Sequence, residues 1–332
     1  MKLSQKEALR FILKNLPMRP GTRALYEKVF KNESVRERRF ALRKLEEVLE
    51  ENPDVINKRF ERESVNLSAQ SLNKSLRKAK VKPQDLDFLA VSTCTGYLCP
   101  GISTRLIEAC GLRKDVRCLD VVGMGCGSAI PSLEQAHNFL KTNPHMIAAS
   151  VSTEICSAAM YSDDSADLVI SNAIFGDGSA AVILKNSSRV GLASVRSFAS
   201  LTYPEWRDTL RFVTEKGRLR NVLNPDVPQK AEKAIQSLIW NFLNSNRISV
   251  SKIQHWILHA GGEKIISAIQ KAIGLSDEQV AVSRKILKHY GNLSSSSILY
   301  SLEEILNSPK PPKKESWASC RLLAPDFPLT PA

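Results

Sequence analysis

Three times along the chain an apolar stretch breaks at glycine and gives way to helical spacing. Leu119 to Val122 is the first; Gly123 and Gly125 interrupt it, and Ile130, Leu133, Ala136 and Leu140 then recur at the period of a helix over residues 128–140. Residues 253–258, Ile-Gln-His-Trp-Ile-Leu, read as a strand ending at His259. Gly261 and Gly262 lead on into an amphipathic helix over 263–273, with Gly274 as its stop. The third passage, Tyr290-Gly-Asn292, runs into a helix reaching Leu306, with Asn292 as its N-cap. Strand–glycine–helix therefore recurs in both parts of the chain, which predicts an α/β fold built from duplicated halves.

Each passage carries one chemically distinct side chain. Cys126 falls at the mouth of its helix, where free N–H groups and the positive end of the dipole favour a thiolate and a nearby imidazolium would favour it further. As structure alone it would be a small buried apolar residue. His259 ends a strand before a glycine turn, where open α/β sheets present ligand-facing groups. His137, His145, His255 and His289 lack that setting and are expected at the surface or on a strand face. Asn292 caps a helix on one reading and, on a compatible one, points its amide N–H at an oxyanion. A thiol can carry an acyl group as a thioester, and an imidazole beside an amide can hold enolate charge. Together they equip a chain for covalent carbon–carbon bond formation.

The segments Gly-Met-Gly-Cys126-Gly, Phe175-Gly-Asp-Gly178, His259-Ala-Gly-Gly262 and Tyr290-Gly-Asn-Leu-Ser-Ser295 resemble the motifs of the type III polyketide synthases, the chalcone and stilbene synthase-like enzymes of the thiolase superfamily. Their order agrees, with 133 residues from cysteine to histidine and 33 from histidine to asparagine. The type III 3-ketoacyl-carrier-protein synthases of fatty-acid initiation use the same triad. They usually show Gln-Ala after the histidine and Asn-Thr after the glycine, where this chain has Ala-Gly-Gly and Asn-Leu-Ser. Bacterial polyketide members are the most similar, in Glu154-Ile-Cys-Ser157 and in residues 217–228.

The resemblance implies a thiolase-like, five-layered αβαβα fold. Its first half, residues 1–188, would carry Cys126, and its second, residues 189–332, His259 and Asn292. Cys126 would take a starter from an acyl-CoA, while His259 and Asn292 bind the malonyl-CoA thioester carbonyl, promote decarboxylation and stabilise the enolate. Repeated cycles would end in cyclisation to an alkylpyrone, alkylresorcinol or chalcone-like product. Phe175 occupies the family's gatekeeper position between CoA tunnel and cavity; a strand-end core aromatic is the other reading. Cys94, Thr95, Cys99, Cys156, Ala159 and Ser294 align with cavity-lining positions, and their small size suggests room for a long or bulky chain. Cys99 would reach the cavity of a partner subunit in a homodimer. No cofactor is implied beyond the CoA thioesters used as substrates.

Composition and charge narrow the picture. A chain of 332 residues, 43% hydrophobic, can bury a substantial core as two sub-domains. Residues 1–85 hold 21 Lys and Arg against 12 Asp and Glu, so nine of the thirteen net positive charges lie in the first quarter. Lys28, Lys31, Arg36, Arg38 and Arg39 form a basic stretch that would meet CoA phosphates, as a basic segment does at this place in the family, or else be a solvated helix face. Nucleic acid is not expected, because no recognition motif accompanies the charge. No apolar run approaches a membrane span, and Met1 to Glu7 have no secretory core. Seven cysteines without paired metal spacing predict a reducing cytoplasm and no metal; Cys94 and Cys99 find no second pair to complete a site.

Both ends depart from the family pattern. Met1 falls about where the family's first helix begins, so the initial strand of the first half is expected to be absent. The family's closing Gly-Phe-Gly-Pro-Gly loop is not found in residues 315–332. The end is therefore expected to lack its closing strands, through a reading-frame shift or divergence near residues 308–320. An impaired, non-catalytic homologue acting as a binding or assembly protein is the corresponding alternative.

Overall fold

The structure, a computed structural model, describes residues 1–186 and 191–308 in full and 317–321 as backbone. Strands β1 (Lys2–Ser4) and β2 (Glu37–Arg39) pair antiparallel around helices α1 (Gln5–Asn15) and α2 (Pro20–Phe30). Ser4 and Glu7 close a reciprocal cap at the start of α1. The apolar faces of both helices meet Phe40, Leu42, Val169 and Ala173 in one cluster.

Helix α3 (Pro53–Ala79) starts at Asn52, whose side chain accepts from Asp54 N–H, and stops where Lys80 turns left-handed. Then follow β3 (Phe88–Thr93), α4 (Ile102–Cys110), β4 (Arg117–Val122), α5 (Ala129–Thr142), β5 (Ile147–Glu154), α6 (Ala166–Ile174) and β6 (Gly178–Lys185). The four strands form one sheet in the order β4-β3-β5-β6, with the first three parallel and β6 antiparallel to β5. Residues 89–93 and 148–154 are buried throughout rather than alternately, because helices cover both faces of the sheet. On one face Phe60, Leu72, Leu76 and Leu106 of α3 and α4 pack on Leu89, Val91 and Val151. On the other, Ala136 and Leu140 of α5 pack on Ala148 and Leu184.

The second half opens with a hairpin, β7 (Leu210–Glu215) and β8 (Arg218–Leu223), whose two-residue turn places Lys216 and Gly217 at φ 51° and 74°. After α7 (Val227–Ser245) come β9 (Ile253–Leu258), α8 (Glu263–Ile273), α9 (Asp277–Tyr290), α10 (Ser297–Leu306) and β10 (Trp317–Arg321). Ile253, Trp256 and Leu258 of β9 pack against α7, α8 and α9. Ile257, pointing the other way, meets Ala129 of α5 and Ile298 and Leu299 of α10. Helices α5 and α10 thus fill the space between the four-stranded sheet and β9–β10. The layers run α3 and α4, sheet, α5 and α10, sheet, α8 and α9, the expected αβαβα arrangement.

Strand β9 and helix α8 have the limits expected from the sequence, and Gly274 ends α8 at φ 74°. Two expectations are corrected. Asn292 is not the cap of α10, which begins after a 3₁₀ turn at Ser294–Ser296. A closing strand does exist at the end of the chain: β10 pairs parallel with β9, with one register shift between Trp317 and Ala318. The boundary expected at 188/189, and the rest of the atypical tail at 309–316 and 322–332, lie outside the described residues. No helix among the described residues is long and apolar enough to cross a membrane.

Candidate active site

Strand β4 delivers the chain to Gly123 and Gly125, at φ 84° and 55°, and this left-handed turn sets Cys126 in a 3₁₀ turn just before α5. Cys126 Sγ lies 3.3 Å from Ser294 Oγ, whose single hydrogen can go to the sulfur or to Glu154. Burial pushes the thiol up to about 12, against the Ser294 bond that favours the thiolate; the Glu154 charge adds to the rise. The sequence expectation of a ready thiolate is therefore corrected for this structure. Desolvation outweighs the helix mouth, since an anion loses more by leaving water than nearby N–H groups return.

His259 follows the last residue of β9 and is 4% exposed. A side chain at Gly261 would come within 2.9 Å of His259 Cδ2, so the turn leaves room for the ring only because residue 261 is glycine. Nδ1 is buried without a hydrogen-bond partner among the described residues, and burial lowers the imidazole to about 4. The ring is neutral at neutral pH. His259 is buried, whereas His145 is exposed and His137, His255 and His289 are half-buried, as their settings in the sequence suggest.

Asn292 is held by backbone. Its N–H donates to Ile174 O at 2.7 Å, and Gly176 N–H donates to Asn292 O at 3.0 Å. Gly291 makes this close passage possible, because a Cβ there would sit 2.4 Å from Ile174 O. The Asn292 side chain accepts from Ser294 N–H at 2.8 Å and donates from Nδ2 to Gly261 O at 3.4 Å. One amide therefore touches the histidine turn on one side and, through Ser294, the cysteine on the other.

Among the residues aligned with the cavity, Cys94, Thr95 and Ser294 gather around Glu154, the last residue of β5. Glu154 is fully buried and accepts from Cys94 N–H at 3.0 Å, Thr95 Oγ1 at 3.0 Å, Ser294 Oγ at 3.3 Å and the Ser295 hydroxyl. Burial raises its carboxyl above the ordinary range, while these bonds act the other way. Sequence reasoning quoted Glu154 as part of a motif but missed it as a site residue. The available signal was an ionisable side chain ending a run of small and apolar strand residues. Ser294 takes φ 49°, an uncommon conformation for a residue with a Cβ. Cys156, Ala159 and Phe175 line a pocket with Met160, Leu168 and Phe212, and Cys156 feels the charge of Glu154. Cys99 is exposed.

The basic stretch divides. Lys28, Lys31 and Arg36 are exposed, and Arg39 is half-buried, its guanidinium 4.4 Å from the Tyr290 ring centre and bonded to His289 O. Arg38 is 1% exposed. It donates from Nε to Gln5 Oε1 and from one terminal nitrogen to Asn172 O and Phe175 O, at 3.0, 2.7 and 2.8 Å. Burial pushes it down to about 9, so it stays cationic at neutral pH. As a phosphate contact Arg38 is corrected: it is an internal strut beneath the Phe175 turn. Asp177 of that turn ties Ser157 and Ala41 N–H together, and Gly176 allows the approach of Tyr290 O. No cluster of residues suited to a metal occurs among the described residues.

A family model described as FAE1/type III polyketide synthase-like protein matches residues 1–198, and one for the C-terminal domain of chalcone and stilbene synthases matches 206–319. The second match runs through most of the region where divergence or a frame shift was expected, which corrects that expectation up to residue 319. The 3,5-dihydroxyphenylacetyl-CoA synthase of Amycolatopsis orientalis is 31% identical over 245 residues, 73% of this chain and 66% of that protein. Alpha-pyrone synthesis polyketide synthase-like Pks18 of Mycobacterium tuberculosis is 28% identical over 299 residues, 86% of this chain and 76% of that one. The crystal structure of PKS-I from the brown alga Ectocarpus siliculosus superposes with a TM-score of 0.84 at 26% identity, covering 92% of this chain and 85% of that one.

Proposed function

The chain belongs to the type III polyketide synthase family, acyltransferases that condense malonyl-CoA iteratively with loss of carbon dioxide, and from that premise we propose that Cys126 carries the growing acyl chain while His259 and Asn292 hold the enolate. The observation that supports this most is Asn292, whose amide reaches Gly261 beside His259 and, through Ser294, Cys126. The Asn292 Nδ2 group has two hydrogens and, among the described residues, one long bond, so it retains a donor for a thioester carbonyl; the neutral His259 ring supplies another. With both donors on the malonyl carbonyl, the electron pair released as carbon dioxide leaves is stored as enolate, and its carbon attacks the Cys126 thioester. Carbon–carbon bond formation expels the Cys126 sulfur.

The small residues at the cavity-aligned positions Cys94, Thr95, Cys156 and Ala159, with the likeness to alpha-pyrone synthesis polyketide synthase-like Pks18, favour an extended aliphatic starter and an alkylpyrone or alkylresorcinol product over a chalcone-like one. Lys28, Lys31 and Arg36, with Arg39 behind them, are the proposed phosphate contacts for CoA. The working form is a cytoplasmic homodimer that needs no cofactor. Strand β4 is a sheet edge with Leu119 and Val122 exposed, and the neighbouring loop exposes Tyr97 and Cys99, a surface suited to a second copy.

Incubation with malonyl-CoA and a panel of acyl-CoAs, followed by mass spectrometry, tests the assignment. Pyrone or resorcinol products from free malonyl-CoA are expected. Strict dependence on malonyl-carrier protein with a single condensation would instead identify fatty-acid initiation, and no turnover with any donor a binding or assembly role.

A further inference from the structure

A helix leaves its last four carbonyls without partners inside the helix. Helix α6 ends at Ile174, and the next residue, Phe175, forms a parallel bridge with Asn292. All four carbonyls at this end are met from outside. Ser171 O accepts from Phe175 N–H at 3.1 Å, Asn172 O from the Arg38 guanidinium at 2.7 Å, Ala173 O from Gln5 Nε2 at 2.8 Å and Ile174 O from Asn292 N–H at 2.7 Å. The end of α6 is thus a seat for the backbone of Asn292, and two of the other donors are side chains from α1 and β2. Those two side chains are joined. Gln5 Oε1 accepts from Arg38 Nε at 3.0 Å while its amide nitrogen serves Ala173, so one glutamine uses both ends. Arg38 also donates to Phe175 O at 2.8 Å, and its stem lies against Gly291, where a Cβ would come within 2.9 Å of Arg38 Cγ. Arg38 therefore touches both sides of the Phe175–Asn292 bridge. The main chain of β2 braces the same two segments, since Asp177 N–H donates to Arg39 O and Arg36 N–H to Lys288 O, each at 2.8 Å.

We propose that Arg38 and Gln5 are positioning residues for decarboxylation: they fix the end of α6 where it seats Asn292, and so set where the Asn292 amide meets the thioester carbonyl. The proposal rests on the role assigned above to Asn292. Both side chains act through the helix end and not on the substrate. Displacing a donor by about 1 Å can cost on the order of a hundredfold in rate, so bonds at this remove bear on the chemistry. The choice of residues fits a positioning task. A buried glutamine and a buried arginine are costly beside apolar residues of similar size, and these two are 6% and 1% exposed. Their polar groups are aimed at carbonyls whose places matter for Asn292. A guanidinium at the carboxyl end of a helix is also favoured by the helix dipole, which tightens the same contact.

Arg38→Met and Gln5→Met keep much of the side-chain volume and remove the bonds. The first measurement is hydrogen–deuterium exchange of the full-length chain, read by mass spectrometry on peptides containing Asn292 and, for comparison, Val151 in the buried strand β5. Relative to Val151, exchange at Asn292 should quicken about tenfold or more in Arg38→Met and about threefold in Gln5→Met. The second measurement sets malonyl-CoA decarboxylation against acylation of Cys126 by an acyl-CoA, both well below the unfolding temperature. Decarboxylation should fall about tenfold or more in Arg38→Met and about threefold in Gln5→Met, with acylation within about twofold of wild type. In an Asn292→Ala background the same changes should lower decarboxylation no further, because the group they position is gone. Unchanged exchange at Asn292 overturns the proposal. So does exchange that quickens alike at Asn292 and Val151, an equal loss of both activities, or a full further loss in the Asn292→Ala background, each of which makes the two residues merely structural. Gln5→Met carries every comparison if Arg38→Met does not fold. If the wild-type protein decarboxylates no malonyl-CoA, the role of Asn292 falls by itself, and the exchange comparison still decides whether Arg38 and Gln5 hold its seat.

Discussion

Cys126 and His259 both sit beside the end of a strand and a glycine turn, yet their surroundings are opposite. Cys126 faces a polar cluster in which Ser294, Glu154, Thr95 and Ser295 bond one another without any substrate. His259 is buried beside the Gly261 turn and keeps an Nδ1 with no partner among the described residues. Burial acts on both and with opposite results in charge terms, raising the thiol and lowering the imidazole, so each is held in its neutral form. Hydrogen-bonding capacity supplied in advance tunes one group. The other is left to be completed by what binds.

The largest effect should come from the polar side. Cys126→Ala should cut product formation by roughly ten-thousandfold or more, as loss of a nucleophile does, and abolish the acyl adduct seen by intact-protein mass spectrometry. An adduct that survives the change would move the nucleophile elsewhere and dissolve the contrast.

The histidine side should show itself in stability. His259 would titrate near 6.5 in the unfolded chain and does so at about 4 when folded. Between these values the unfolded state binds more protons, so stability is fully present above the higher value and is lost as pH falls toward the lower. The loss is on the order of 3 kcal/mol. Urea unfolding at a series of pH values should show His259→Gln with a slope shallower by about one proton across that window. Parallel slopes would mean that the ring is solvated or paired after all.

Next in size, His259→Ala and Asn292→Ala should each lower malonyl-CoA decarboxylation by roughly a hundredfold, the scale of losing an oxyanion donor, while leaving alkylation of Cys126 nearly untouched. If both activities fell together, the two regions would be one unit.

Arg38 extends the contrast to buried charge that is fully partnered. Arg38→Ala should cost about 3 kcal/mol in unfolding experiments, because Gln5 and the carbonyls of Asn172 and Phe175 lose their donor. Lys31→Ala, at an exposed site, should stay within about 0.5 kcal/mol and act, if at all, on the KM for CoA thioesters.

Much of this was legible in order and spacing. Ile253 to Leu258 and Glu263 to Ile273 form the strand and helix that period and glycine placement predict, since a short apolar strand bounded by glycine and an amphipathic helix both write their geometry into local sequence. The segment before Asn292 was harder. A run of serines follows it, and the helix start shifted to Ser297 because Asn292 spends its side chain on Ser294 N–H and Gly261 O. Arg38 and Arg39 looked alike in a basic stretch. One packs over Phe40 and the other over Tyr290, and nothing local distinguishes them.

By itself the sequence determined the α/β class, the family motifs and the order in which cysteine, histidine and asparagine arrive, because these depend on short-range patterns of apolar residues and glycine. Tertiary structure alone decided the meeting of β5, the loop after β3 and the 294–296 turn around Glu154, the neutrality of Cys126 and His259, and the burial of Arg38. Those outcomes depend on water being excluded by elements more than a hundred residues apart. Desolvation belongs to a place in the folded molecule, and no local pattern carries it.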